Sequence, residues 1–425
     1  MEAEGGIECF ELDSNGLRVL LCPQGKAPVA TVMITYPVGS RNERQGETGA
    51  THFLEHMMFK GTERFSKQSG QNIFNVLQAR GARVNATTWN DRTNYYEMLP
   101  VEHLGLALEI EADRMRGLTL DPAEVDSERT VILNEFDRGE NEPIRKLYHA
   151  LWSTAFEAHT YHHPTIGWRH DIENITPQGL RSFYDRFYWP NNATVSIIGG
   201  FEPAPTLASI REHFGAIPRG DVPDSSVIRE PEQQGERRTT IRMQGGNPAV
   251  ILGFKSPRAL DPSVNPLHLA GMILSHGRSS RLHRALVDEG LATHVSAGTS
   301  SFRDPGLFTV MALLTPDADV GQVERILTDE LSRLAAEPPE QDELDRALSK
   351  LRAETLYARD GSFSMASQLN EAIAAGDWKM LPRFLEAVGE VTPDQIAKSI
   401  EGTCVVDRKT TAVYLPRLPE EVALD

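Results

Sequence analysis

Apolar residues recur along the chain with two different periods, and each period predicts one kind of element. Residues 30–36 and 193–198 are rich in β-branched side chains, which are typical of buried strands. Residues 122–140 carry apolar side chains at every third or fourth position, which predicts an amphipathic helix. Further helices are predicted over residues 51–60, 69–80, 101–116, 279–288 and 320–336.

The order of predicted elements in the first half of the chain recurs in the second half. Residues 74–115 run helix, glycine, strand, turn, strand and helix, and residues 283–331 follow the same order. Such a repeat indicates an internal duplication of roughly 200 residues, although two unrelated α+β domains can share a similar string. We therefore predict an α+β fold of two homologous domains, each an antiparallel-rich β-sheet packed with helices.

Residues 217–237 interrupt this pattern, because they combine three prolines and many charges with few apolar side chains. This composition is typical of an interdomain linker. A chain of 425 residues is also too long for one hydrophobic core. We predict an N-terminal domain over residues 1–217, a linker over 218–237 and a C-terminal domain over 238–425.

Composition and charge narrow the possible classes of function. The net charge of −17 argues against nucleic acid as a ligand but permits basic peptides. No apolar run is long enough to span a membrane, and the acidic N-terminus lacks the apolar segment of a signal peptide. The three scattered cysteines suggest a reducing compartment. We expect a cytoplasmic protein, or a periplasmic one if a leader was removed.

The chemistry of the chain centres on the predicted helix over residues 51–60, in which His52, Glu55 and His56 form the pattern H-x-x-E-H. Successive helical residues are rotated by about 100°, so all three side chains fall on one face. Two imidazoles on that face could bind a metal ion, and the carboxylate would lie beside a water on that ion. Because the neighbouring side chains are apolar, these polar groups need such a partner.

A catalytic zinc site usually has three protein ligands, so a third must come from another element. The helix over residues 122–140 offers several carboxylates. Glu128 and Glu135 are seven residues apart and therefore lie on one helix face. Glu135 precedes the apolar Phe136 and is our preferred ligand, with Glu128 as a residue that orients an imidazole. The spacing leaves neighbouring carboxylates open as alternatives, namely Glu124, Asp126, Asp137 and Glu140.

Together, His52-Phe-Leu-Glu-His56 and the segment from Glu128 to Glu135 resemble the M16 (inverzincin) metallopeptidases, which include pitrilysin, insulysin and the mitochondrial processing peptidases. The resemblance covers nearly the whole chain and fits the short, two-domain members. Further matching segments are G-A-R-V-N-A-T-T at 81–88, T-N-Y-Y at 93–96, H-P-T-I-G-W at 163–168, Y-W-P-N-N-A at 188–193 and G-R-S-S-R-L at 277–282.

This resemblance implies a zinc-dependent endopeptidase or oligopeptidase subunit that hydrolyses unfolded peptides inside a closed two-subunit chamber. It implies Zn²⁺ on His52, His56 and Glu135, with Glu55 as general base. It also implies a substrate-binding strand.

That strand contains Asn85, Ala86 and Thr87. In the family it presents a sheet edge to which an extended peptide can add as another strand. The alternative is an ordinary hairpin strand with no role in binding.

One departure from the family pattern concerns the second half of the chain. Active members carry an Arg and a Tyr seven residues apart after the S-S-R-L stretch, and here Val287 or Asp288 and Thr293 occupy those positions. We therefore expect a homologous partner subunit to supply the pair in a heterodimer, with a homodimer as the alternative. His294 or Arg284 could substitute within this chain.

Two other classes of function compete with the peptidase. One is a non-catalytic structural subunit of an M16-like complex, and the other is a metal-binding interaction module without hydrolysis. The complete set of His52, Glu55, His56 and Glu135 argues against the structural subunit, and zinc content and peptide cleavage of wild type and Glu55→Gln would separate the three classes.

Overall fold

The computed structural model describes residues 2–25, 27–223 and 227–417. The described residues form two compact units. The first unit draws on Met1–Phe136, His163–Val227 and Leu356–Pro382. The second draws on Asp137–His162, Ile228–Thr355 and Arg383–Asp425. Each unit thus includes a segment from the other half of the sequence, which a linear division does not anticipate. The division into residues 1–217, 218–237 and 238–425 stays a prediction.

Groups of strands and groups of helices follow one another along the described residues. The strands are β1 Glu2–Glu4, β2 Ile7–Glu11, β3 Arg18–Pro23, β4 Val29–Tyr36, β5 Arg83–Thr88, β6 Thr93–Pro100, β7 Thr194–Gly199, β8 Arg237–Met243, β9 Ala249–Lys255, β10 Ala292–Thr299, β11 Leu307–Leu314 and β12 Thr410–Pro416. The first helices are α1 Ala50–Met57, α2 Ile73–Gln78, α3 Leu104–Gly117, α4 Pro122–Glu140, α5 Pro143–Ala155, α6 Arg169–Asn174 and α7 Pro177–Phe187. The later helices are α8 Pro203–Phe214, α9 Val264–Ser275, α10 Val320–Ala336, α11 Gln341–Ala358, α12 Ser362–Ala375, α13 Met380–Gly389 and α14 Pro393–Thr403.

The first unit contains a seven-stranded sheet in the order β1-β2-β3-β7-β4-β6-β5. Neighbouring strands are antiparallel except β3 and β7, which are parallel. Central strand β4 is almost wholly buried, which explains its continuous β-branched and apolar sequence. Helix α12 packs on β4 and β7, and its Asn370 accepts a hydrogen bond from Thr35 in β4 at 2.7 Å. Strand β5 ends the sheet.

The second unit contains a five-stranded sheet in the order β10-β11-β9-β12-β8. Only β8 and β12 are parallel. The first sheet contains the same arrangement in its strands β5-β6-β4-β7-β3. Corresponding strands occupy the same place in the order, and corresponding pairs have the same parallel or antiparallel direction. The repeated topology confirms the predicted α+β fold of two similar, antiparallel-rich domains.

Most predicted elements agree with the structure, and the differences have local causes. Helices α4 and α10 have the predicted bounds. The helix predicted over residues 69–80 is only Ile73–Gln78, because the Asn72 side chain accepts N–H groups from Phe74 and Asn75 and starts the helix there. The helix predicted over 279–288 contains a short π-helical segment, His283–Val287. No helix among the described residues is long and apolar enough to cross a membrane.

Candidate metal centre

The loop before α1 fixes the start of the helix and thereby its direction. Gly49 precedes the helix with φ of 86°, and a Cβ there would lie 2.5 Å from the Ile166 carbonyl oxygen, so only glycine fits. The Glu43 carboxylate accepts hydrogen bonds from the backbone N–H groups of Gly49 at 2.9 Å and Thr51 at 2.8 Å. Phe53, Leu54 and Met57 are buried in the core, so the opposite face carries the polar residues.

The structure brings His52, His56 and Glu135 together. One potential ligand atom from each lies within 4.8 Å of the others. Glu135 Oε2 is 3.6 Å from His52 Nε2 and 3.8 Å from His56 Nε2. Ligand atoms around a tetrahedral zinc ion with bonds of about 2.0–2.1 Å lie roughly 3.4 Å apart. The donor types and their spacing therefore fit a zinc ion.

Glu128 orients one of these imidazoles. Its Oε1 lies 2.7 Å from His56 Nδ1, and its Oε2 lies 2.5 Å from the Lys60 amine. Burial alone would raise the pKa of Glu128, but the hydrogen bonds from His56 and Lys60 outweigh it and lower that pKa. An ionised carboxylate can only accept hydrogen bonds, so Nδ1 of His56 carries the proton and donates to Glu128. The other ring nitrogen, Nε2, then has a free lone pair on the side of Glu135.

Glu55 lies on α1, beside the candidate ligands His52, His56 and Glu135. The Thr88 hydroxyl, at the end of β5, donates a hydrogen bond to Glu55 Oε2 at 2.5 Å. Burial raises the pKa of Glu55, and the Thr88 hydrogen bond and the charge of His56 only partly offset this. Thr88 therefore fixes one carboxylate oxygen of Glu55. The raised pKa of Glu55 suits a group that exchanges a proton near neutral pH.

The predicted substrate-binding residues lie on the edge strand β5. Within the described part of the chain, this strand pairs only with β6. Asn85 and Thr87 are exposed, whereas Ala86 is buried on the opposite face. Thr88 points to the same face as Ala86, because side chains alternate along a strand, and it reaches Glu55. The proposed peptide-binding edge and the carboxylate are thus adjacent.

The residues at the expected Arg and Tyr positions lie in the second unit. Val287 ends the short π-helical segment, and Asp288 follows it. Thr293 and His294 lie on β10, the edge strand of the second sheet, and both are exposed. Arg284, the other candidate substitute, is also exposed.

Sequence reasoning missed three side chains that contact the predicted site residues, namely Lys60, Thr88 and Arg92. Thr88 could have been found, because it follows Asn85-Ala-Thr87 directly and shares a strand face with Ala86. Arg92 donates hydrogen bonds to Thr87 from the turn between β5 and β6. No pattern in the sequence marks Lys60 or Arg92.

Comparison with known proteins agrees with this geometry. The family model described as Insulinase (Peptidase family M16) matches residues 18–168, and that described as Peptidase M16 inactive domain matches residues 174–351. The zinc protease PqqE of Helicobacter pylori is 28% identical over 408 residues, covering 94% of this chain and 91% of the relative. An uncharacterized zinc protease of Mycobacterium leprae is 30% identical over 400 residues, covering 90% of this chain and 86% of the relative.

The crystal structure of a protease from Helicobacter pylori has a TM-score of 0.92 against this fold at 26% identity, covering 97% of this chain and 100% of that chain. The family models place the H-x-x-E-H segment in the insulinase part and the second sheet largely in the part described as inactive. On this evidence, the chain belongs to peptidase family M16.

Proposed function

We propose that this protein is a zinc-dependent endopeptidase or oligopeptidase subunit that hydrolyses unfolded peptides. One observation carries the proposal: three ligand atoms within 4.8 Å of one another lie beside Glu55 and the edge strand β5. The relatives that carry the name zinc protease support the same activity. The site thus combines candidate metal ligands, a candidate base and a surface for extended peptide.

His52, His56 and Glu135 would hold the zinc ion. When bound, zinc would act as a Lewis acid and lower the pKa of a coordinated water to roughly 7. Glu55 would accept a proton from a water that attacks the peptide carbonyl and return it to the leaving amine nitrogen. Thr88 keeps the base in position during both transfers.

The substrate would bind by strand addition. The outer backbone groups of β5 can pair with an extended peptide, so that binding depends mainly on main-chain hydrogen bonds. Asn85 and Thr87 would contact side chains on one face of that peptide, and Ala86 would leave room on the face of Glu55. Such pairing needs a substrate segment that is extended and has free backbone groups, which favours unfolded peptides as substrates.

We infer that a homologous partner subunit supplies the Arg and Tyr that stabilise the transition state. Val287 or Asp288 and Thr293 cannot donate as those side chains do, and losing one oxyanion donor typically costs about 10²–10³ in rate. A heterodimer is the simplest arrangement, with a homodimer using His294 or Arg284 as the alternative. The three free cysteines fit a reducing compartment such as the cytoplasm.

The decisive experiment compares wild type with Glu55→Gln, with and without the homologous partner. Zinc content is measured by elemental analysis, and cleavage is measured on a flexible quenched-fluorescence peptide. We expect both proteins to retain zinc and only wild type to cleave the peptide. Turnover by the chain alone that a partner does not change would contradict the heterodimer.

A non-catalytic structural subunit is the second candidate. The family model that matches residues 174–351 is described as an inactive domain, and that part of the chain lacks H-x-x-E-H, which keeps the structural role as an alternative. The same experiment separates the two: zinc-loaded wild type that cleaves nothing with its partner present would establish the structural role.

A further inference from the structure

Arg92 connects the edge strand β5 to a helix that comes from the second half of the sequence. Its Nη1 donates hydrogen bonds to the Thr87 carbonyl oxygen at 3.2 Å and to Thr87 Oγ1 at 2.6 Å. A third contact, at 2.8 Å, reaches Asn94 Oδ1 on β6. One guanidinium nitrogen therefore fixes the backbone and the side chain of Thr87 together.

The other side of the guanidinium is held by Glu371 in α12. Arg92 Nε and Nη2 both donate to Glu371 Oε1, at 3.0 and 2.5 Å. The Arg92 side chain is only 11% exposed, whereas that of Glu371 is 46% exposed. Arg92 is thus anchored in a mostly buried position rather than on the free surface, where ion pairs contribute little.

Thr87 and Thr88 link Arg92 to Glu55, because their side chains lie on opposite faces of the sheet. Thr87 presents its side chain to Arg92 on the α12 face of the sheet, and Thr88 presents its hydroxyl to Glu55 on the opposite face. Both belong to an edge strand, which has a neighbour on one side only and is therefore easily displaced at its end. Among the described side chains, that of Arg92 donates a hydrogen bond to the Thr87 carbonyl oxygen. It therefore holds the end of β5 in addition to the pairing of β5 with β6.

We propose that Arg92, held by Glu371, is a positioning residue that fixes the end of β5, so that Thr88 keeps Glu55 in place and the strand edge stays straight for the substrate. This inference rests on the proposed peptidase function for its kinetic consequence, but not for its effect on β5. It assigns α12 a task in the active site, although the helix lies about 280 residues later in the sequence.

The first test measures β5 directly, without using activity. Hydrogen–deuterium exchange is followed in peptides covering residues 83–93 of the full chain, for wild type, Arg92→Gln and Glu371→Gln. We expect both variants to exchange roughly several-fold faster in this segment. A matched control is Asp185→Asn, which removes the charge of the 45% exposed partner of Arg116 in the same unit. Exchange in β5 that is the same in wild type and in Arg92→Gln would overturn the proposal.

The second test measures cleavage in the assembly in which wild type is active. Arg92→Gln should lower kcat/KM roughly tenfold with unchanged zinc content, because small misplacements of a catalytic group are costly. In a Thr88→Val background the same substitution should cost clearly less than tenfold, since its route to Glu55 through Thr88 is already broken and only its other effects, such as that on the strand edge, remain. Independent, multiplicative losses would contradict the route through Thr88. If wild type cleaves nothing while Arg92→Gln loosens β5, the proposed function fails and the positioning of β5 stands.

Discussion

Glu128 and His56 form the contact that determines how the candidate metal centre presents its imidazoles. The Glu128 carboxylate lies 2.7 Å from Nδ1 of His56, and its second oxygen lies 2.5 Å from the Lys60 amine. Burial disfavours a charged imidazole, but the hydrogen bond to Glu128 and the surrounding carboxylates raise the pKa of His56. The same contact leaves Nε2 as the nitrogen available to a metal.

Removing this contact should weaken metal binding without removing a ligand. In Glu128→Ala, the His56 ring loses its orienting acceptor, and we expect zinc affinity to fall about 10–100-fold. A competition titration with a chromophoric chelator measures the change. Glu124→Ala is the matched control, because the Glu124 carboxylate lies 3.8 Å from the same Lys60 amine and has no described contact with His56. Equal affinities for the two variants would show that Glu128 does not orient the ring.

The sequence predicts the parts of the site that belong to one element. His52, Glu55 and His56 share one face of α1 because helical periodicity alone brings them together. Glu135 is a weaker prediction, because the spacing along α4 does not say which carboxylate faces another helix. The structure places Glu135 nearest to both imidazole Nε2 atoms and Glu128 on His56 Nδ1.

What the sequence does not predict depends on contacts between distant segments. The hydrogen bond from Arg92 to Glu371 joins residues 279 positions apart, and no local period relates them. The placement of α12 in the first unit follows from side-chain pairing, such as Thr35 with Asn370, which becomes visible only in the folded chain. The same holds for the assignment of residues 137–162 to the second unit.

A buried charge cluster beneath the first sheet gives a second prediction. Arg114, Glu97 and Glu111 have fully buried side chains, and Arg114 contacts both carboxylates. Burial, followed by the nearby charge of Glu111, raises the pKa of Glu97 well above its usual range, which favours its uncharged form.

The two ends of this cluster should therefore respond very differently to substitution. Arg114→Met leaves Glu111 buried without its cation and should cost about 3–5 kcal/mol of unfolding free energy. Glu97→Gln keeps the shape of the side chain and should cost less than about 1 kcal/mol, because the raised pKa favours the uncharged form that the amide resembles. Urea unfolding measures both. Arg64→Met, which breaks the pair of the exposed Arg64 with the half-buried Glu109, should stay within about 1 kcal/mol of wild type. A large loss in Glu97→Gln would show that Glu97 is ionised.

Glu43 predicts how the stability of the metal-free protein depends on pH. Burial raises its pKa to about 8, although the N–H groups of Thr51 and Gly49 favour the carboxylate. In the unfolded chain the group titrates near its ordinary value of 4.5. Between these values the folded protein keeps a proton that the unfolded chain releases, so rising pH favours unfolding. The stabilisation is complete below about pH 4.5 and is lost as pH approaches 8.

Glu43→Gln removes this titration. We expect the unfolding free energy of wild type, measured relative to that of Glu43→Gln, to fall by up to about 3 kcal/mol between pH 5 and pH 7.5. Urea unfolding of chelator-treated protein at both pH values provides the comparison, and taking the difference cancels the titration of groups that the two proteins share. A difference that rises with pH would mean that the two backbone N–H groups at the start of α1 hold Glu43 as a carboxylate. In that case the hydrogen bonds from the start of α1 would lower the pKa of Glu43 more than burial raises it. A negative charge would then lie at the N-terminus of α1.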